Sequence, residues 1–237
     1  MLILIVGITA FSRGHTVRGL GRSRKSIASD IASRLESFVE VESYYDTVTI
    51  QSAYHGVDAI ICALRSVPEL ELDAQLLLLR AAERVGIRIF VSSTWNNDWT
   101  RTHLGDFEHY DAHISFKRQA DLGSPINPIY IFTGTFAEYL FSFTCFPLVD
   151  KEDGSGKKIM YWESPYTKLD WTSVRDAAGF TLEILDDEGI KQGKGGCFSF
   201  RSGQTCVKDL ADMYEKTKDD VVSTSGQSTV KCASAIV

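Results

Sequence analysis

The chain has 237 residues, of which 44% are hydrophobic, 24% charged and 11% aromatic. These proportions are typical of a globular protein with enough apolar material for a sizeable core. A net charge of −6 excludes a general nucleic-acid binder, because neutralising phosphates requires clustered lysine and arginine. No apolar run approaches the roughly 20 residues that span a bilayer. The apolar start MLILIVGITA lacks the basic segment and cleavage site of a signal peptide.

Short apolar runs alternate with amphipathic segments through the first 133 residues. Strands are predicted at residues 2–7, 16–20, 38–41, 56–63, 87–91 and 128–133. Helices are predicted at residues 26–35, 47–54, 69–85 and 110–122. In the third of these helices, Leu72, Leu76 and Leu79 share the apolar face, and Gly86 ends the helix. This order predicts an α/β fold, a Rossmann-like doubly wound parallel sheet with right-handed crossovers.

The alternation fades after about residue 145, where a small α+β substrate lobe is expected. A helix is predicted at residues 173–187 and ended by Gly189, and a last helix is marked by Val207, Leu210, Ala211 and Tyr214. The polar tail from Thr217 is expected to be loosely ordered. The predicted domains are therefore residues 1–145 and residues 146–237.

The five cysteines predict the compartment. Their dispersed positions contain neither a C-x-x-C motif nor the spacing of a zinc site. Such residues behave as small hydrophobes in a reducing environment. We therefore expect a cytoplasmic protein without a structural disulfide or a metal. The residues are Cys62, Cys145, Cys197, Cys206 and Cys232.

The segment after the first predicted strand, GITAFSRG, is where a dinucleotide-binding fold holds the pyrophosphate. Three glycines would normally open a helix there, but only Gly7 is in place and no amphipathic helix follows. About eight residues separate Gly7 from Thr16, whereas a parallel crossover needs a dozen or more. Either the first two strands are not parallel neighbours, or the usual helix has been deleted.

Several longer segments resemble one family. GITA, RGHTVRGLGRS, GVDAIICA, LLLLRAAERVGIRIFVSSTWNNDW, PIYIFTGTFAE and DWTSVRDAAGF are similar to the NmrA-like, isoflavone-reductase-like branch of atypical short-chain dehydrogenases, fungal members above all. The resemblance extends from Met1 to about Tyr214. It implies a Rossmann domain that binds NADP(H), although the missing glycine-rich helix leaves open that the cofactor has been lost.

The resemblance also places the cofactor residues. Gly7 and Thr9 fall in the phosphate loop, and Arg22 with Ser23 follows the second strand. An arginine there accompanies preference for the 2′-phosphate of NADPH in the family, because a guanidinium forms paired hydrogen bonds with phosphate. The alternative for Arg22 is a solvated surface side chain.

The candidate catalytic residues are Ser93, His113 and Lys117. Ser93 lies where the fifth strand ends, the edge at which open α/β sheets bind ligands. His113 and Lys117 lie one turn apart on the helix that supplies the catalytic lysine in the plant reductases, so either could move the proton. A surface histidine beside a surface lysine is the alternative.

Four more side chains are candidates for the substrate pocket: Trp95, Asn96, Tyr110 and Trp171. The first two follow Ser93 directly, Tyr110 begins the helix of His113, and Trp171 belongs to the C-terminal part. Aromatic rings could wall a flat organic substrate. A strand-terminating turn and ordinary core packing are the alternatives.

The favoured function is an NADP(H)-dependent oxidoreductase that acts on an aromatic or polyketide-like metabolite. A cofactor-independent isomerase or cyclase, and a non-catalytic NmrA-type regulator that senses dinucleotides, remain open. An error in the gene model, or a decayed copy of the gene, would also explain the missing helix. The expected partner is a small-molecule substrate, with no nucleic acid, no membrane, and a monomer or homodimer as the assembly.

Overall fold

The computed structural model describes residues 1–7, 14–142, 145–162, 164–218 and 222–227. Its strands are β1 (Leu2–Val6), β2 (Thr16–Gly21), β3 (Ser37–Glu40), β4 (Ala59–Cys62), β5 (Ile89–Val91), β6 (Ile129–Phe132), β7 (Thr135–Phe136), β8 (Leu148–Asp150), β9 (Lys157–Trp162), β10 (Leu169–Thr172), β11 (Gly196–Ser199), β12 (Gly203–Thr205) and β13 (Val222–Gln227). Its helices are α1 (Ser29–Ala32), α2 (Thr47–Tyr54), α3 (Gln75–Val85), α4 (Asp111–Gly123), α5 (Val174–Asp186), α6 (Glu188–Lys191) and α7 (Val207–Lys218). A π-helical turn, Glu69–Ala74, leads directly into α3.

A seven-stranded parallel sheet in the order β11-β6-β5-β4-β1-β2-β3 forms the centre of the fold. Apolar residues alternate across it, so that Leu4 and Ile60 face the core beneath α2, α3 and α4. Ile3 and Ile61 face the opposite core, to which α5 contributes Leu185. The predicted Rossmann-like α/β class is confirmed.

The first two strands are parallel neighbours, with Leu2 opposite Thr16 and Val6 opposite Leu20. The first of the two alternatives for this segment is therefore wrong. Residues 7–15 alone connect the strands, which is shorter than the dozen or more residues of an ordinary crossover. Thr9 lies in this connection, outside the described residues.

Two compact units divide the chain. The first comprises Met1–Phe132 and Arg175–Phe200, and the second comprises Thr133–Val174 and Arg201–Val237. This division differs from the predicted boundary at residue 145, because β11 pairs in parallel with β6 and Leu185 of α5 enters the core of the first unit.

The second unit contains two three-stranded sheets, with the orders β12-β10-β7 and β13-β9-β8. Its small core joins Ile159 of β9 to Val207 and Ala211 of α7. The expectation of a loosely ordered tail is wrong for β13, which pairs in parallel with β9 along its whole length.

Two predicted helices also need correction. Residues 26–35 contain only the single turn α1 after a 3-10 turn at Arg24–Ser26, and α1 buries no side chain. Gly189 does not end α5 but lies inside α6, whose N-cap is Asp187, with the carboxylate accepting the Ile190 N–H at 3.1 Å. Among the described residues, no helix combines the length and the apolarity that crossing a membrane requires.

Candidate functional site

Gly7 directly follows β1 and lies at the carboxyl edge of the parallel sheet. Gly7 has φ +80°, and a Cβ placed on it would lie 2.3 Å from the carbonyl oxygen of Ala63. The Ala63 N–H in turn donates to the Val6 carbonyl at 2.8 Å. The chain after β4 therefore crosses the end of β1 so closely that only glycine fits.

A cleft of about 180 Å³ opens at the same edge, beyond the ends of β2 and β3. It is lined by the exposed side chain of Arg22, by Tyr44 and Tyr45, and by Glu69 and Leu70 of the π-helical turn, with Glu42 as a second carboxylate. Burial raises the pKa of Tyr44, and the nearby Arg22 guanidinium partly offsets that rise. Arg22 thus brings a positive charge to the cleft.

Ser23 follows Arg22 and begins the 3-10 turn Arg24–Ser26 with extended backbone. Its side chain makes no capping hydrogen bond to that turn. The next N–H, that of Arg24, donates instead to Glu40 Oε1 at 2.7 Å. Ser23 therefore lies beside the cleft residue Arg22, and its predicted contact with the cofactor stays a prediction.

His113 lies in a buried polar cluster rather than at the surface. Its Nε2 is 3.4 Å from Glu71 Oε1 and 3.0 Å from the side-chain amide of Asn96. With the Asn96 oxygen turned toward His113, the amide nitrogen donates to the Thr94 and Asn97 carbonyls, each at 3.0 Å. Nε2 then donates to the Asn96 oxygen, and Glu71 Oε1 is a second acceptor nearby.

The carboxylate of Glu71 has a second partner at the surface, because the hydroxyl of Ser66 donates to the same Oε1. Burial acts to raise the pKa of Glu71, but the contacts with His113 and Ser66 outweigh it, so that the pKa lies below its usual value. Glu71, whose side chain is only 5% exposed, is thus kept ionised by its partners.

Gln75 connects this cluster to the end of β5. Its Nε2 donates to the Glu71 carbonyl at 2.7 Å, and its Oε1 accepts from Ser92 Oγ at 2.9 Å and from the Ser93 N–H at 2.8 Å. Ser93 Oγ is 3.2 Å from both the backbone nitrogen and the carbonyl oxygen of Leu64. The predicted catalytic Ser93 therefore lies where β4 and β5 end, with its hydroxyl oriented by the backbone.

An indole ring closes the other side of His113. Trp99 is 1% exposed and stacks on the imidazole with 5.7 Å between ring centroids and 8° between ring planes. The ring of Tyr110 lies 6.3 Å from the imidazole, and its hydroxyl accepts from the Asn97 amide at 3.3 Å. His113 Nδ1 is buried and has no hydrogen-bond partner among the described residues.

The remaining candidates lie apart from this cluster. Trp95 packs against the opposite core, and its Nε1 donates to Thr181 Oγ1 of α5 at 3.0 Å. Lys117 forms an ion pair with Asp121 at 2.6 Å and lies 5.5 Å from the centre of the Tyr130 ring. Trp171 belongs to the second unit, where its ring covers Gly203. The proposed roles of these three side chains stay predictions.

Glu71 and Gln75 belong to the site although the sequence did not predict them. The helical pattern predicts an apolar face of Leu72, Leu76 and Leu79, yet Leu72 and Leu76 are only partly buried and Glu71 and Gln75 are buried. The spacing of four between Glu71 and Gln75 was the available signal. No cluster of three or more potential metal ligands occurs in the part of the chain that the structure describes.

The model of the NmrA-like family matches residues 5–229. The chain belongs to the NmrA-like family. The resemblance found in the sequence is confirmed, and the narrower fungal assignment stays a prediction. The search of the curated proteins found no match.

Solved structures with the same fold include reductases and a regulator. The leucoanthocyanidin reductase–NADPH complex from Vitis vinifera has a TM-score of 0.76 and 17% identity, over 96% of this chain and 78% of that chain. AtPrR2 with NADP+ and (+)-pinoresinol has a TM-score of 0.72 and 19% identity, over 98% of this chain and 80% of that chain. NmrA, described as a negative transcriptional regulator, has a TM-score of 0.66 and 15% identity, over 95% of this chain and 74% of that chain. At these identities the similarity shows the fold alone.

Proposed function

We propose that the chain is an NADP(H)-dependent oxidoreductase that acts on a small aromatic or polyketide-like molecule. Membership of the NmrA-like family supports the proposal, as do structures of the same fold in complex with NADPH, or with NADP+ and pinoresinol. The observation that carries it is the position of Arg22, an exposed guanidinium at the end of β2 that lines a cleft at the carboxyl edge of the sheet.

The described residues fit the adenosine end of the cofactor. Within the described ranges Arg22 has no hydrogen bond or ion pair, so its guanidinium is available for two parallel hydrogen bonds to a 2′-phosphate. Glu42 and Glu69 line the same cleft and could accept hydrogen bonds from ribose hydroxyls. The same two carboxylates repel a phosphate, so the preference for NADPH over NADH depends on Arg22.

When bound, NADPH supplies a hydride, and the chain must orient the acceptor and manage one proton. Ser93 is the best placed of the predicted catalytic residues, because its hydroxyl lies at the ends of β4 and β5 and is already oriented by Leu64. His113 is 1% exposed and its Nε2 faces Glu71 and Asn96, so we assign it an indirect role in place of direct contact with substrate.

The proposal is tested by adding NADPH and a panel of aromatic ketones and lignan-like ethers to the purified chain and following absorbance at 340 nm. The expected result is substrate-dependent NADPH oxidation that Ser93→Ala slows. Binding of NADPH by calorimetry without oxidation of any substrate would contradict the enzyme assignment. Absence of binding would contradict the cofactor assignment and favour a cofactor-independent isomerase or cyclase.

A second function, a regulator that senses dinucleotides without turnover, is favoured by one observation. His113, one of the two candidates on the helix that supplies the catalytic lysine in the plant reductases, is buried in a cluster that holds its Nε2 away from solvent. A protein that only reports the state of its cofactor pool needs the cleft but not an accessible proton carrier. NADPH binding that changes the chain's hydrogen exchange, with no substrate oxidised, is the outcome that this alternative predicts.

A further inference from the structure

The π-helical turn Glu69–Ala74 has two faces with different surroundings. Glu69, Leu70 and Ala74 line the cleft, whereas Glu71 points into the protein. A π-helical turn closes its backbone hydrogen bonds five residues apart and often occurs at functional sites. Here the Gln75 side chain adds a hydrogen bond to the turn, donating to the Glu71 carbonyl at 2.7 Å.

The inward side chain of Glu71 is attached to two different parts of the first unit. His113 of α4 contacts Oε1 at 3.4 Å, and the exposed Ser66, which precedes the turn, donates to the same oxygen. Through Gln75 the turn is also attached to Ser92 and Ser93 at the end of β5. The wall of the cleft is therefore fixed from behind by hydrogen bonds to one carboxylate and one amide.

We propose that Glu71 is a positioning residue of the cleft: held by Ser66 and His113, it fixes the π-helical turn whose opposite face contacts the bound dinucleotide. This inference rests on the proposed function, because it takes the cleft to be the dinucleotide site. Glu71 itself does not line the cleft, so its effect on the ligand is transmitted by the backbone of Glu69 and Leu70.

Four variants distinguish positioning from mere filling of space. Glu71→Gln keeps an oxygen that accepts from Ser66 and His113, Glu71→Leu has a similar size but no acceptor, and Ser66→Ala removes one contact at the surface. Asp73→Asn is the matched control, since Asp73 is an exposed carboxylate on the same turn and does not line the cleft. Ser66→Ala keeps the test valid if a substitution of buried Glu71 prevents folding.

The measurement is the NADPH dissociation constant by calorimetry, combined with hydrogen exchange of peptides that cover residues 66–74. We expect Ser66→Ala and Glu71→Gln to weaken NADPH binding about threefold to tenfold and to speed exchange in the turn. Glu71→Leu should weaken binding further, and Asp73→Asn should match the wild type. Equal affinities for Glu71→Gln and Glu71→Leu would show that only volume matters and would overturn the inference.

The two proposals fail in different ways. If the wild type binds NADPH and Ser66→Ala binds it as tightly as Asp73→Asn does, the inference is overturned and the proposed function stands. If the wild type binds no dinucleotide, the proposed function is overturned and the positioning role falls with it.

Discussion

Glu71 Oε1 lies 3.4 Å from His113 Nε2, and the two side chains are only 5% and 1% exposed. A carboxylate and an imidazole that are both removed from water depend on each other, because removing either leaves the other desolvated with only one remaining side-chain partner, Ser66 for Glu71 and Asn96 for His113. His113, a candidate for the proton-transfer step, is thus buried against Glu71 behind the cleft, and its catalytic role stays a prediction.

His113→Ala is expected to destabilise the protein by about 3–5 kcal/mol, because it leaves the Glu71 carboxylate buried without its imidazole partner and opens a cavity beside Trp99. Unfolding in urea measures this. Lys117→Ala is the control one turn along α4, and it should cost no more than about 1 kcal/mol, since its partner Asp121 is solvent-exposed. Equal stability of the two variants would contradict the structural role of His113.

Acidification should lower the free energy of unfolding, because Glu71 becomes protonated. Its pKa in the folded state lies below the usual value of 4.5, so its contribution to the free energy of unfolding is present above pH 4.5 and is lost as the pH falls through the folded-state pKa. Glu71→Gln cannot titrate, so its stability should fall less steeply over that acidic range than that of the wild type. Urea unfolding at a series of pH values gives both curves, and parallel curves would show that Glu71 has no depressed pKa.

Gly7→Ala is expected to lower the stability of the protein more than Gly56→Ala does, although both glycines have a left-handed backbone. Gly56 has φ +75° with no atom within 4 Å of an added Cβ, so Gly56→Ala should cost about 1–2 kcal/mol from backbone conformation alone. At Gly7 the same penalty is joined by a clash with the Ala63 carbonyl at 2.3 Å. A loss of stability at least twice that of Gly56→Ala is expected by thermal or urea unfolding, and equal losses would mean that β1 and the segment after β4 do not meet so closely.

The parallel sheet could be predicted because its strands are continuous apolar runs buried on both faces. Ala59–Cys62 and Ile129–Phe132 are completely buried, and each lies inside its predicted segment. The helix Thr47–Tyr54 has its predicted bounds, and Gly86 ends α3 with φ +84° as a left-handed C-cap. Local residue preferences and hydrophobic periodicity were sufficient for these elements.

The site could be predicted less well, because it depends on contacts between distant segments. A period of 3.6 residues cannot anticipate the π-helical turn, which brings Glu71 and Gln75 to the buried face in place of Leu72 and Leu76. Trp95 and Asn96 are adjacent in sequence, yet their side chains lie on opposite faces of the sheet. Trp95 hydrogen-bonds to Thr181 of α5, whereas Asn96 hydrogen-bonds to His113 of α4. The pairing of β13 with β9 likewise depends on a polar strand, VSTSGQ, that shows no apolar alternation and lies about 65 residues from its partner.

Recognition of the 2′-phosphate by Arg22 is tested most directly by comparing NADPH and NADH binding to the wild type, Arg22→Ala and Arg24→Ala. Arg24 is the matched control, since it is exposed on the same segment but does not line the cleft. A charge-assisted contact to phosphate contributes about 1.5–3 kcal/mol, so Arg22→Ala should weaken NADPH binding roughly tenfold to hundredfold and leave NADH binding nearly unchanged. Arg24→Ala should bind both as the wild type does. Equal losses for both dinucleotides in Arg22→Ala, or unchanged NADPH binding, would contradict the assignment of this cleft to NADP(H).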